Sequence, residues 1–317
     1  MNAFASAPGK IILFGEHAVV YNRPALAVPV TQVHADVEVL ESPRKGIFIH
    51  APDIDLHAEP NSLPADHPIA SVILKVFSTL GLPSPTGRRV GDKGGLEISI
   101  TSSIPVASGL GSGAAVSVAL IRSLSSFLFR SLTDDEVNML AFEIEKLHHG
   151  TPSGIDNTVI TYNKPVYFIK GQPIETFKVG KPFTIVIGDT GVSALTRESV
   201  GDVRRLWLRD TANFENCFNE IAQIALIARR SIEHGRPDLL GELMDHNHSI
   251  LQNLTVSSPE LDKLVKAARN AGALGAKLSG GGRGGNMIAL VEQEKAESVA
   301  NALISAGAKR TIITEIN

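Results

Sequence analysis
Residues 109–113 read GLGSG, and from Ala114 to Phe129 the chain continues without a glycine or proline through a stretch that is apolar nearly all round. Such a run is a helix with no face to give to water, so it must lie deep inside a layered structure. The bare turn in front of it admits two readings. Amides without Cβ atoms close round an anion at the helix N-terminus, where the backbone dipoles add partial positive charge. Alternatively, the turn packs tightly against a sheet. It is not a Walker loop, because no Gly-Lys-Ser/Thr follows. It is a poor dinucleotide fingerprint as well, because the glycine spacing is wrong and no strand–turn–helix unit opens the chain.

The rest of the chain supplies the layers. Val33, Ala35, Val37 and Val39 alternate with His34, Asp36 and Glu38, a half-buried strand within a β-rich stretch over 3–40. Residues 41–65 lack periodicity and read as loops with short strands. A helix is expected over 69–80, ended by Gly81 and Pro83, then an exposed turn over 84–95 and a strand at Leu96–Ile100. Thr133 and Glu136 form a capping box for a helix reaching about Leu147, which the breaker-rich HHGTPSGIDN ends. Residues 184–188 read as a buried strand. Helical spacing follows over 214–233, 237–253 and 259–271. The chain closes in a βαβ-like pattern: strands at 276–278 and 286–291, a helix over 294–306 and a strand over 310–316. The weakest patterning lies at 170–182, where the domain boundary is placed. Strands and helices interleaved without regular alternation give two α+β domains.

Charge and cysteine usage exclude several classes. The formal net charge is -3 and the basic pairs Arg88-Arg89 and Arg204-Arg205 are short, so neither a nucleic-acid nor an anionic-membrane partner is called for. Cys217 is the one cysteine, which rules out an intrachain disulfide and a thiolate zinc site. With no signal-like N-terminus and no long apolar span, the protein reads as soluble and cytoplasmic. The oligomeric state is not legible, and a homodimer stays open.

Three further stretches carry polar chemistry. In SAPGKIILFGEHAVVY (6–21), Lys10, Glu16 and His17 sit in apolar strand sequence, either on a surface hairpin or paired in a cleft. In EIEKLHHGTPSGIDNTV (143–159), Glu145 near a helix end and Asp156 after a Pro-Ser-Gly turn offer a metal ligand and a base, or two ordinary surface carboxylates. His148-His149 reads as a helix end. SGGGRGG (279–285) permits close approach to a bound group, or is a loose turn.

Taken together and in order, APGKIILFGEHAVVY, IPVASGLGSGAAVS, HGTPSGIDNTV and KLSGGGRGGNM resemble the GHMP kinase superfamily and, within it, the mevalonate kinase family. Galactokinases place an aspartate shortly after Gly-Glu-His, where Ala18, Val19 and Val20 stand here. Phosphomevalonate kinases usually carry a tyrosine at the position of His17, and the Lys-Tyr-Trp of diphosphomevalonate decarboxylases is absent. The resemblance implies a two-domain α+β GHMP kinase fold. An N-terminal ribosomal-protein-S5-like domain (1–175) would carry the ATP phosphates and catalytic residues, and a ferredoxin-like C-terminal domain would occupy 176–317. It implies ATP-dependent phosphorylation of the mevalonate 5-hydroxyl, with Mg²⁺ as cofactor. Ser108, Gly109, Leu110, Gly111, Ser112, Gly113 and Ala114 would bind ATP. Asp156 would take the hydroxyl proton, Lys10 would supply a cation, and Glu145 with Ser112 would hold Mg²⁺. Glu16, His17, Thr196, Gly281 and Gly282 would contact the substrate.

The chain departs from the family pattern at three positions. Gly113 replaces a serine that is commonly a Mg²⁺ ligand in the family, so either Ser112 or a water takes the role or metal binding is weaker. Ala194 stands where some relatives have an arginine. Arg283 interrupts an all-glycine loop and either adds charge near the phosphates or points outward.

Overall fold
A computed structural model describes residues 2–64, 66–82, 94–105, 108–149, 152–173, 175–193 and 196–317. The chain forms two compact units that interleave along the sequence. The first comprises Met1–Gly9, Val33–Val106 and Gly111–Asn163, and the second comprises Lys10–Gln32, Ala107–Leu110 and Lys164–Asn317.

In the first unit, β3 (Ile47–Ala51), β4 (Leu56–Ala58), β5 (Gly95–Ser102) and the second half of β2 (Ala25–Ser42) form a sheet in the order β4-β3-β5-β2. β5 runs antiparallel to β2, from Ala35 opposite Ser102 to Ser42 opposite Gly95. The expected alternation holds: Val33, Ala35, Val37 and Val39 are buried, as are Leu96, Ile98 and Ile100. β1 (Asn2–Phe14) pairs with β2. Four helices complete the unit: α1 (Pro68–Thr79), α2 (Ser112–Phe127), α3 (Asp134–His149) and α4 (Ile155–Tyr162). α2 packs against each of the other three. That position explains its apolar circumference and buries Val118, Leu120, Ile121 and Leu124. It starts at Ser112, two residues earlier than its apolar run. The capping box at α3 is present: Thr133 N–H donates to Glu136 Oε2 (2.8 Å) and Glu136 N–H to Thr133 Oγ1 (3.3 Å). The exposed turn expected at 84–95 lies mostly outside the described residues. Gly94 and Gly95, which are described, are buried, and β5 already begins at Gly95.

In the second unit, β8 (Phe183–Asp189), β9 (Gly275–Ser279), β10 (Asn286–Val291) and β11 (Arg310–Ile316) form an antiparallel sheet in the order β11-β8-β10-β9. β10 and β11 run parallel with β8 between them. The βαβ-like close is therefore a split unit, the ferredoxin-like arrangement expected. α8 (Pro259–Asn270) and α9 (Ala296–Ser305) pack on this sheet, and α7 (Leu240–Asn253) lies against β9. α6 (Thr211–Glu233) packs on α7 and on α5 (Thr196–Arg209). Short strands β6 (Val166–Phe168) and β7 (Glu175–Thr176) pair with each other, and β6 continues onto Ala25–Ala27. Tyr21 anchors the early segment. Its ring stacks on Phe218 at 4.1 Å and tilts against Trp207 at 5.4 Å, while Arg23 donates to Glu215 (2.5 Å). Trp207 Nε1–H donates to the other oxygen of Glu215 at 3.0 Å. No described helix is long and apolar enough to cross a membrane.

Candidate functional site
β1 turns at Gly15, whose φ of +100° and surroundings exclude a side chain: a Cβ there would stand 2.4 Å from Ala25 Cα. That tight return forces the next two residues inward. Lys10, Glu16 and His17 are 4%, 1% and 5% exposed, so they do not lie on a surface hairpin. Glu16 Oε1 forms an ion pair with Lys277 of β9, which is itself fully buried. Lys277 Nζ donates a second hydrogen bond to the Leu278 carbonyl at 2.6 Å. Burial pushes Glu16 up and Lys277 down, and each partner's charge opposes the other's shift. The second Glu16 oxygen, Oε2, is buried without a partner.

His17 adopts φ 60°, ψ -46°, a left-handed-side conformation unusual for a residue with a Cβ. Its Nε2–H donates to the Gly281 carbonyl (3.1 Å), since a carbonyl only accepts. Nδ1 is then a bare acceptor, and it too is buried without a partner. Burial lowers the His17 pKa to about 4, against the hydrogen bond to Gly281. The ring is therefore neutral at neutral pH.

The glycine segment after β9 is pinned along its length rather than loose. Ser279 Oγ donates to the Ile12 carbonyl (2.8 Å). Gly282 has φ +74°, and a Cβ there would meet the Val256 carbonyl at 1.9 Å. The Arg283 amide donates to that same carbonyl (2.8 Å), and the Gly285 amide donates to Val192 O (2.9 Å). The Arg283 guanidinium pairs with Asp202 of α5 and reaches Thr255 O at 3.3 Å. The outward-facing reading of Arg283 is thus replaced by a staple between this loop and α5. Asn286 Nδ2 donates to the Ser108 carbonyl at 2.5 Å, and the Lys10 amide donates to the Leu110 carbonyl at 2.9 Å. Ser108 and Leu110 are buried, with Gly109 (φ +81°) exposed between them.

In the first unit, Gly111 (φ 76°) is the N-cap of α2 and makes no side-chain cap bond. No acidic residue occupies the first turn. Ser112 opens the helix, Gly113 is exposed, and Ala114 is buried in its first turn. Such an N-terminus suits an anion. A Cβ at Gly113 would meet nothing within 4 Å, so there is open space beside this position. α4 was not foreseen. It starts after Gly154 (φ 89°), also without a side-chain cap, and carries Asp156 in its first turn. Asn157 ties it to α3 by donating from Nδ2 to Asn138 Oδ1 (2.6 Å), both residues being buried. Glu145 is half-buried on α3.

Glu145 and Ser112 are hard oxygen donors on two helices that pack together, and among the described residues no group of three or more His, Cys, Asp or Glu could hold a metal ion. That set fits Mg²⁺, which keeps several waters and takes few protein ligands, better than it fits a metal needing a protein cage. Thr196 opens α5. Ala194 lies outside the described residues.

Lys277, Ser279 and Asn286 lie inside the motif KLSGGGRGGNM but carry no role in the sequence reading, and Asp202 lies in no motif. Lys277 had one signal: a lone lysine between apolar neighbours in GAKLS, a strand too apolar to leave it in water.

Residues 71–164 match the family model described as GHMP kinases N terminal domain, and residues 228–309 match GHMP kinases C terminal. The whole chain is similar to the mevalonate kinase of Thermococcus gammatolerans, 38% identical and spanning 97% of that protein. Among solved structures it is similar to the Methanococcus jannaschii mevalonate kinase, with TM-score 0.83, 26% identity, and coverage of 99% of this chain and 98% of that one. The L. major mevalonate kinase, solved in complex with R-mevalonate, gives TM-score 0.83 at 29% identity, with 99% and 95% covered.

Proposed function
The chain belongs to the GHMP kinases and, within them, to the mevalonate kinases; from that premise we propose that it transfers the γ-phosphoryl group of ATP to the 5-hydroxyl of mevalonate. One structural observation carries the substrate side. Glu16 Oε2 and His17 Nδ1, on adjacent residues, are buried acceptors with no donor. Buried polar atoms without partners are costly, and a hydroxyl-bearing substrate would supply the missing donor. His17, neutral and held by Gly281, would accept that donor without changing charge.

In the proposed reaction the 5-oxygen forms a bond to the γ-phosphorus as the bond to the β,γ-bridging oxygen breaks, and ADP leaves. Asp156 takes the hydroxyl proton. Lys10 supplies a cation that favours the developing alkoxide. The exposed Gly109 and the uncapped start of α2 at Ser112 and Gly113 offer amides to the phosphates. Glu145 and Ser112 would hold Mg²⁺, which when bound neutralises charge on the phosphate oxygens. In this reading residues 1–175 carry the phosphate loop and the base, and 176–317 contribute the loop around Gly281 and Gly282.

The test is ADP release on adding mevalonate to the chain with Mg²⁺ and ATP, with the product assigned by phosphorus-coupled NMR. The 5-phosphate is expected. Phosphorylation at another hydroxyl, or no ADP release above the ATP-only control, overturns the proposal.

A further inference from the structure
We infer that Asn286 is a positioning residue for the phosphate loop, a role that rests on reading residues 108–113 as that loop. Asn286 is the first residue of β10 and is 1% exposed, held between Asp189 of β8 and Ser279 of β9. Its Nδ2 reaches the Ser108 carbonyl at 2.5 Å. The opposite amide orientation would set Oδ1 against a carbonyl oxygen, so the donor assignment follows from chemistry. Oδ1 itself is buried and has no partner. The residues that follow, Met287 to Val291, are buried and apolar. An asparagine with half its amide unpaired is therefore an expensive choice for packing, and the half that is paired faces the glycine turn.

What that bond does follows from peptide geometry. In a trans peptide the C=O of one residue and the N–H of the next point in opposite directions. Fixing the Ser108 carbonyl towards Asn286 turns the Gly109 amide the other way. The Leu110 carbonyl is tied back in the same fashion by the Lys10 amide at 2.9 Å, which turns the Gly111 amide outward. Two alternate carbonyls are thereby withdrawn from an anion they would repel, and two amides are presented to it. The Lys10 tether is backbone and survives any substitution at position 10 other than proline. The Ser108 tether depends on one side chain. A Cβ at Gly109 would stand 3.7 Å from the same Nδ2, so a side chain there would touch the Asn286 amide.

The full chain and its Asn286→Ala and Asn286→Asp variants would be titrated calorimetrically with ADP and with adenosine. Asn286→Asp keeps the shape, removes the donor and adds a negative charge, so its loss of ADP affinity counts only where Asn286→Ala shows one too. Asn286→Ala removes the orphaned oxygen as well, so it carries the test if the aspartate variant does not fold. Both variants are expected to bind ADP about tenfold more weakly while adenosine affinity stays within about twofold, because only phosphates use the aimed amides. ADP affinity equal to wild type overturns the inference. So does an equal loss for ADP and adenosine, which would assign Asn286 to general packing. A wild-type chain that binds adenosine but gains nothing from the phosphates of ADP overturns the phosphate-loop reading and this role with it.

Discussion

His17 holds a positive φ that costs a residue with a Cβ about 1–3 kcal/mol, and its ring is buried with one nitrogen unpaired. Strain and desolvation on one side chain have a pH signature. The folded pKa is about 4, below the ordinary histidine value of 6.5. His248, buried against Asp262 and the Leu278 amide, is likewise lowered to about 4, chiefly by burial. Between pH 6.5 and 4 the unfolded chain binds protons that the folded chain refuses, so stability falls as pH falls across that window. The melting temperature is expected to drop from pH 7 to pH 4, and less steeply in His248→Gln; parallel curves for the two proteins would exclude His248 as a source. Lys277→Met leaves Glu16 buried without its counter-charge and should cost about 3–5 kcal/mol by denaturant titration, with Glu16→Gln restoring part of it in the double variant. Asp156→Asn should lower kcat at least ~100-fold with ATP still bound, and near-normal turnover would remove its assigned role. Lys10, Glu16 and His17 were legible because polar groups in apolar strands demand an explanation. Their partners were not: Lys277 lies 261 residues beyond Glu16, and nothing local in either stretch names the other.

At the scale of elements, patterning succeeded where one periodicity dominated. α2, α6, α8 and the strands of the C-terminal sheet were all readable from it. α4 was missed because IDNTVITY is short, rich in β-branched residues and preceded by breakers, so its local preference is for strand. Its helical state comes from packing on α2 and α3. α5 was missed because TRESVGDVRRLWLR is mostly polar; it is an exposed helix held by the Trp207 and Tyr21 rings and by the Asp202–Arg283 pair. The two glycine segments have opposite tolerances. At Gly282 a Cβ would overlap the Val256 carbonyl, so Gly282→Ala should destabilise the chain by about 2 kcal/mol or more. At Gly113 the space is open and the backbone helical, so Gly113→Ser should change stability by less than about 0.5 kcal/mol. Thermal melts of the pair check both. Equal melting temperatures would mean that the segment after β9 yields far more than its hydrogen bonds suggest.

For the molecule as a whole, interleaving decides what can stand alone. The second unit needs Lys10–Gln32. A fragment of residues 164–317 lacks Glu16 for Lys277, Ala25–Ala27 for β6, and Tyr21 between Trp207 and Phe218. It should show no cooperative thermal transition by calorimetry, and a sharp one would mean that the C-terminal sheet and its helices suffice. The same long-range ion pair also sets a clock. During synthesis at about 5–20 residues per second, Glu16 leaves the ribosome roughly 13–52 s before Lys277 does, given their separation of 261 residues. Through that interval the Gly15–His17 turn has no buried place to go, so the nascent chain must carry Glu16 and His17 in water until nearly the last strand has been made.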